Sequence, residues 1–281
     1  MMPVNLDAIG QQAGPVEVGW DSRDVMLYAL GVGAGQADPL AELDLTTENT
    51  EGVQLRALPT FALILTQLAG VRPDFGDVDH TKLVHAEQSL ELDAPMPLEG
   101  RARIAARIES IADKGSGALV TTAFEAHDVA SGKRMFTSRA SAFIRGEGGF
   151  DPNRKSGGQR PAVPDRAPDI EARVQTRTDQ ALLYRLCADR NPLHSDPAFA
   201  ARGGFSRPIL HGLCTYGITT RILLGALGAQ HLGSISARFT KPVLPGELLV
   251  VQGWRGNDSI AFRTLDGKGE AVIDGGMLVP A

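Results

Sequence analysis

The stretch PILHGLCTYGITTRILLGAL, residues 208–227, is apolar or small around almost its whole circumference when it is drawn as a helix. A surface helix keeps a polar face, so a helix of this composition is predicted to lie in the core. Four strand-like runs follow it, namely SISARFT (234–240), ELLVVQGW (247–254), SIAFRTL (259–265) and EAVIDGGMLV (270–279). One buried helix and several short strands indicate an α+β fold, in which an antiparallel sheet wraps around the helix.

The earlier part of the chain repeats this order. A helix candidate, LPTFALILTQLAG, occupies residues 58–70. Its strand-like runs are LVHAEQSLEL (83–92), RARIAARIES (101–110), ALVTTAFEAH (118–127) and RMFTSRASAFI (134–144). A short helical run ending in a similar Tyr-x-Leu precedes each copy, at 24–30 and at 179–186. The chain therefore reads as a duplication.

Two pairs of residues anchor the alignment of the copies. Pro95 matches Pro242, and Gly132-Lys133 matches Gly267-Lys268. The second copy is shorter between these anchors, which predicts a trimmed hairpin. A chance likeness between two unrelated α+β domains is the alternative.

A polar segment separates the copies. Residues 145–169 are rich in Gly, Pro and charge and show no apolar period, which is typical of a loop. We predict an N-terminal domain at 1–150, a linker at 151–169 and a C-terminal domain at 170–281. The two sheets can join edge to edge, because that pairing hides exposed edge strands.

Composition narrows the function classes. The chain is 43% hydrophobic and 22% charged, with a net charge of −5 that argues against nucleic-acid binding. Cys187 and Cys214 are too few for a disulfide framework, which favours a reducing compartment. The sequence has no uninterrupted run of about 20 apolar residues, so no membrane-spanning helix is predicted. The first residues lack the basic segment and the apolar segment of a signal peptide, so we expect a cytoplasmic protein.

The segment RLCADRNPLHSDPAFA, residues 185–200, carries the chemistry. Pro192 keeps Asn191 out of the α-helical region, which predicts a tight connection from Asp189 to His194. Asp196-Pro197 then has the form of a helix N-cap followed by proline at the first helical position. An acid and an imidazole on one turn can face the same cavity.

Such a pair suits the addition of water to a double bond. One group must take a proton from water, and another proton must reach the carbon next to a carbonyl. Histidine is suited to this because its usual pKa, about 6.5, lies near neutral pH. Alternatively, Asp189 and His194 have a structural role, in which they cap the turn or hydrogen-bond to a backbone carbonyl. A zinc set of His194, His211, Cys187 and Cys214 is disfavoured, because its spacings lack the usual short ligand pairs.

The run Asp-x-Asn-Pro-Leu-His-x-Asp-Pro resembles the signature of the (R)-specific enoyl-CoA hydratases, or hydratase 2, in the MaoC-like group. The resemblance extends to residues 83–92, 113–117, 208–217 and 237–247. It is greatest to the two-domain form, a double hot-dog in which two antiparallel sheets, each wrapped around a central helix, join into one continuous sheet. The matching stretch of the first copy, residues 30–35, has no histidine.

The resemblance implies an acyl-CoA thioester substrate, no cofactor beyond it, no metal and a homodimer. Its catalytic residues would be Asp189, His194, Asn191 and Gly212, with the Gly212 N–H binding the thioester oxygen. Its substrate contacts would be His85, Ala86, Lys114, Arg190, Pro192, Leu193 and Phe239. His211 is interpreted as structural or supporting.

The chain departs from the family pattern twice. Cys187-Ala188 stands where Ser-Gly is usual, and His85-Ala86 stands where His-Gly is usual. A hot-dog thioesterase or a non-catalytic acyl-CoA binding protein is the alternative function, since the fold alone does not decide between them.

Overall fold

A computed structural model describes residues 4–153 and 163–281. Its strands form one antiparallel sheet. They are β1 (Gln12–Trp20), β2 (Leu83–Leu92), β3 (Gly100–Asp113), β4 (Gly117–Asp128), β5 (Arg134–Arg145), β6 (Ile170–Gln175), β7 (Leu232–Phe239), β8 (Leu248–Arg255), β9 (Ile260–Asp266) and β10 (Ala271–Pro280).

The α-helices of each copy lie between its first strand and its other strands. They are α1 (Ser22–Gly31), α2 (Leu43–Thr46), α3 (Ala62–Ala69), α4 (Gln180–Tyr184), α5 (Pro197–Arg202) and α6 (Gly212–Leu227). Short 3₁₀ turns at Pro59–Phe61 and Pro192–His194 precede α3 and α5.

The sheet order reveals the duplication. It runs β1-β3-β4-β5-β2-β7-β10-β9-β8-β6, so each half repeats the other in mirror order about the β2–β7 joint. At this joint Glu87–Glu91 pair antiparallel with Arg238–Ser234. The predicted α+β fold with one continuous sheet is confirmed. The hairpin β8–β9, with strands of 8 and 7 residues, is shorter than β3–β4, with 14 and 12, as the anchors predicted.

Each half packs one helix against its sheet. Eleven of the sixteen residues of α6 are buried, which confirms that this apolar helix lies in the core. In the first half α3 has the equivalent place, and Ala62, Leu63, Ile64 and Leu65 are all buried. Both helices end at a glycine in the left-handed region, Gly70 and Gly228, where a side chain would be strained.

The structure differs from the sequence predictions at several elements. α6 begins at Gly212 rather than at Pro208, because the Leu210 N–H bonds outward to the Val243 carbonyl. Strands β1 and β6 were not predicted. They are the outer strands of the sheet, and an outer strand tolerates a Gly14-Pro15 pair that in sequence is typical of a turn.

The predicted domain boundary falls between β5 and β6. Residues 154–162 of the proposed linker, and residues 1–3, lie outside the described residues. The C-terminal domain was predicted from residue 170, where β6 begins. The boundary itself stays a prediction. Within the described ranges, no helix is long and apolar enough to cross a membrane.

An ion pair between the buried Arg221 and the half-buried Glu42 connects the two halves. Arg221 of α6, with 7% of its side chain exposed, donates from Nη1 to both carboxylate oxygens of Glu42 at 2.6 Å. Its Nε–H donates to the Val32 carbonyl oxygen at 3.0 Å. Glu42 also accepts the Gly35 N–H at 3.1 Å, so one carboxylate and one guanidinium hold residues 32–42 of the first half on the core helix of the second.

Removing the Glu42 charge should destabilise the protein. Glu42→Gln leaves the guanidinium of Arg221 buried without its counter-charge, and we expect the free energy of unfolding to fall by about 3 kcal/mol. Urea denaturation measures the difference. Glu48→Gln, at an exposed position of the same region, is the control and should behave as wild type. Equal stability of the two variants would show that the ion pair contributes nothing.

Candidate active site

The segment from Asp189 to His194 is a tight turn, as predicted. Asn191 has φ −55° and ψ 124°, outside the helical region, and Pro192–His194 form a single 3₁₀ turn. The Asn191 N–H donates to Asp189 Oδ1 at 3.1 Å, and the Leu193 N–H donates to Asn191 Oδ1 at 3.0 Å. The Asn191 side chain therefore caps the turn that carries His194, and its backbone holds the carboxylate of Asp189.

His194 is oriented by one hydrogen bond. Its Nδ1–H donates to the carbonyl oxygen of Ile209 at 2.9 Å, so Nε2 carries the free lone pair. The side chain is buried, and the loss of solvation lowers the pKa of His194 below its usual value, although the Ile209 bond and the negative charge of Asp189 act the other way. The imidazole is therefore neutral at neutral pH and can accept a proton.

A second imidazole lies directly against the first. The rings of His194 and His211 are stacked, with centroids 3.7 Å apart and planes at 27°. The Nε2–H of His211 donates to the backbone oxygen of Asp189 at 3.1 Å. Burial, and the neighbouring His194, lower the pKa of His211 to about 3. Tyr184 approaches its ring with a centroid distance of 4.8 Å.

Gly212 begins helix α6 immediately after His211. The N–H groups of Cys214 and Thr215 donate to the His211 carbonyl oxygen at 3.1 and 3.2 Å. The Gly212 N–H comes before them in the first turn, where N–H groups have no acceptor within the helix. A Cβ on Gly212 would lie 3.2 Å from the ring of Phe239, closer than ordinary contact. Glycine thus lets this aromatic ring approach the positive end of the helix dipole.

The first half supplies one wall of the site. His85 of β2 meets Phe239 of β7 across the joint, with ring centroids 4.7 Å apart. Its Nε2–H donates to the Glu87 carbonyl oxygen at 3.1 Å, and burial lowers the pKa of His85 to about 4. The charge of Asp189 acts on this imidazole, so the residues predicted from the two halves share one electrostatic environment.

Both departures from the family pattern are accommodated by the backbone. Ala86 occupies a bulge of β2, where the pairing with β5 shifts register between His85 and Glu87. Among the described residues other than glycine, only Glu42 has a positive φ. Ala86 and Ala188 therefore adopt conformations that an alanine tolerates.

Lys114 lies farther from the histidines. It is exposed, in the turn after β3, and the register Asp113–Ala118–Ile144–Leu83 places this turn at the end of the sheet where β2 begins. Its predicted contact with the substrate stays a prediction.

The remaining predicted contacts flank the turn from Asp189 to His194. Arg190 and Pro192 are exposed beside Asp189, and Leu193 is half-buried. The Leu193 carbonyl oxygen accepts the Ile209 N–H at 3.4 Å, which joins the turn to the segment before α6. Their roles in binding also stay predictions.

The cluster is poorly arranged for a metal ion. One potential ligand atom from each of Asp189, His194 and His211 lies within 4.8 Å of the others. Imidazole lone pairs lie in the ring plane, however, and two stacked rings direct them along nearly parallel planes rather than toward one ion. The thiols of Cys187 and Cys214 are held protonated, because burial raises the pKa of Cys187 to about 12 and that of Cys214 well above its usual value.

Comparisons with known proteins agree with this fold. A family model described as MaoC like domain matches residues 159–275, and one described as MFE-2 hydratase 2 N-terminal domain matches residues 19–146. The 3-hydroxyacyl-thioester dehydratase Y of Mycobacterium tuberculosis is 43% identical over 94% of this chain and 92% of that protein. Enoyl-CoA hydratase ChsH3 of the same organism is 42% identical over 100% of both chains.

Solved structures give the same result. A MaoC-like dehydratase from Phytophthora capsici superposes with a TM-score of 0.86 at 29% identity, over 99% of this chain and 98% of that one. A Mycobacterium tuberculosis protein described as a double hotdog fold superposes with a TM-score of 0.59 at 13% identity, over 97% and 96% of the chains, and supports the fold alone.

The fold and the relatives thus define a double hot-dog enzyme of the hydro-lyase class. The chain belongs to the MaoC-like hydratase 2 family. This confirms the resemblance drawn from the Asp-x-Asn-Pro-Leu-His run.

Sequence reasoning did not anticipate the ring stack. Tyr184, His211 and His194 come from three separate elements, and no spacing in the sequence links them. The one available signal was that His211 directly precedes Gly212, whose N–H the family resemblance assigns to the thioester oxygen.

Activity should not depend on a metal or a disulfide. We expect the catalytic rate to be unchanged after dialysis against EDTA and in the presence of a thiol reductant, because stacked imidazoles and protonated thiols make poor ligands. Metal analysis before and after chelation accompanies the assay. Stoichiometric zinc that is lost together with activity would contradict this geometry.

Proposed function

We propose that the chain catalyses the reversible hydration of trans-2-enoyl-CoA to (3R)-3-hydroxyacyl-CoA, in fatty-acid or sterol side-chain metabolism. The single observation that carries the proposal is the neutral His194, turned by the Ile209 carbonyl so that Nε2 is free, on the same short turn as Asp189. The names of the two mycobacterial relatives, a dehydratase of hydroxyacyl thioesters and an enoyl-CoA hydratase, support the substrate class. The cytoplasmic location and the homodimer stay predictions.

In this mechanism a water molecule is held between Asp189 and His194. His194 Nε2 removes a proton from the water, whose oxygen adds to C3 of the enoyl group. The C2 proton arrives from the same side, through Asp189 or through that water. Asn191 acts by capping the turn and fixing Asp189, rather than by touching the reacting atoms.

The negative charge that develops on the thioester oxygen needs a donor. The Gly212 N–H, at the positive end of α6, is the group we assign to it. A donor of this kind is worth about 3–4 kcal/mol of transition-state stabilisation in other enzymes. The Phe239 ring lies beside Gly212, with His85 against that ring, and the exclusion of water by Phe239 strengthens such a hydrogen bond.

The alternative functions are distinguished by their products. A thioesterase releases free thiol, and a binding protein leaves the enoyl absorbance unchanged. A hydratase removes the enoyl absorbance while the thioester stays intact. A screen of trans-2-enoyl-CoAs from short chains to sterol-sized groups, followed by both signals, tests the proposal and defines the acyl specificity.

Substitution of either member of the pair should abolish most of the turnover. We expect Asp189→Asn and His194→Ala each to lower kcat by about 10²-fold or more in a folded protein, the usual size of acid–base contributions. The double variant should lose little beyond either single one, because the two groups act as one unit. Steady-state kinetics and circular dichroism provide the measurements. Wild-type turnover in either single variant would remove that residue from the mechanism.

The stereochemistry should reflect a single catalytic face. Because Asp189 and His194 share one turn and Gly212 fixes the thioester oxygen, water and proton must add to the same face, giving syn addition. Hydration in D₂O, with chiral analysis and NMR of the C2 deuterium, reports both centres. A (3S) product would contradict the assigned reaction. A (3R) product formed by anti addition would keep the reaction but exclude the one-face mechanism.

A further inference from the structure

His211 makes contact with both members of the pair through different atoms. Its ring face covers the ring of His194, at a centroid distance of 3.7 Å. Its Nε2–H donates to the backbone oxygen of Asp189, at 3.1 Å. Tyr184 also contacts the His211 ring, with a centroid distance of 4.8 Å.

The second nitrogen shows that His211 is more than packing. Donation from Nε2 leaves Nδ1 unprotonated, and this atom is buried with no hydrogen-bond partner among the described residues. An unsatisfied buried polar atom costs about 1–3 kcal/mol. A phenylalanine would fill the same space without that cost, so the choice of imidazole points to the Nε2–H donor and its bond to Asp189.

We propose that His211 is a positioning residue that sets the relative placement of Asp189 and His194, through its hydrogen bond to one and its ring contact with the other. The proposal rests on the function proposed above. His211 touches neither the water nor the thioester in this role. It acts because Asp189 and His194 sit at opposite ends of a turn, and His211 connects them, in addition to the Ile209 hydrogen bond that orients the His194 ring.

His211 stays neutral for a physical reason. A proton on its ring would place a cation in a buried site, against His194 on one face and near Arg185, and only Asp189 favours it. Asp189, Arg185 and Tyr184 are the other titratable groups next to the stacked rings of His194 and His211. His85 of the first half adds a further imidazole on which the charge of Asp189 acts. The tautomer that donates to Asp189 is thus retained across the working pH range.

Two substitutions separate the two contacts. His211→Phe keeps an aromatic ring against His194 but removes the donor to Asp189. His211→Gln keeps an amide donor at the place of Nε2 but removes the ring. We expect each to lower kcat by about 10- to 100-fold with KM changed less than twofold, since misplacement of a catalytic group by about 1 Å has this effect. His231→Phe, at an exposed histidine, is the matched control and should leave kcat unchanged.

The pH profile provides a readout that a purely structural role would not move. Burial depresses the pKa of His194, so activity should be lost only as the pH falls below the usual histidine range. In His211→Gln water can reach the uncovered ring, its pKa should rise, and the acid limb of kcat/KM should move to higher pH. In His211→Phe the ring stays covered and the limb should stay in place. Identical profiles for the two variants would overturn the ring-contact part of the proposal.

The same set of variants separates this proposal from the one it rests on. In a His194→Ala background, His211→Phe should cause little further loss, because His211 acts through the pair; a full independent loss would overturn the proposal. Wild-type kcat in folded His211 variants would also overturn it, while inactive Asp189→Asn and His194→Ala enzymes would leave the hydratase function standing. Active Asp189→Asn and His194→Ala enzymes would refute that function itself. If one His211 variant does not fold, the other carries the test alone.

Discussion

The antiparallel pairing of β2 with β7 is the constraint on which the rest of the molecule depends. Each half, taken alone, would expose one strand of unpaired backbone groups at this edge, and joining the edges satisfies both at once. The joint also decides where the chemistry lies. It brings His85 of the first half against Phe239 of the second, and Phe239 against Gly212 at the start of the core helix.

Burial at this joint sets the protonation of the site. His85, His194 and His211 all have lowered pKa values, in each case chiefly because the charged form loses its hydration. A hydratase needs a neutral imidazole as its base. The first half, which carries no acid–imidazole pair of its own, contributes the imidazole of His85, on which the charge of Asp189 acts.

Equivalent segments of the two copies have different roles. Residues 189–194 form the turn that carries the proposed acid–imidazole pair of the second half, whereas the matching residues 30–35 of the first half anchor that half to α6. The Val32 carbonyl oxygen accepts from Arg221, and the Gly35 N–H donates to Glu42. The ion pair between Arg221 and Glu42 therefore fixes this segment to the same helix whose first residue is Gly212. The two copies therefore contribute equivalent halves of the sheet but differ in this segment. In the second copy it carries the proposed acid–imidazole pair, and in the first copy it supports α6.

The sequence by itself determined the fold class, the duplication, the buried helix and the segment that carries Asp189 and His194. These depend on local periodicity, on Pro192 and on short spacings, all of which act within a few residues of the chain. Only the tertiary structure decided the outer strands β1 and β6, the contact of His85 with Phe239, and the stack of Tyr184, His211 and His194. These contacts join residues far apart in the chain, and their geometry follows from how α6 and the β2–β7 joint pack, which no local pattern encodes.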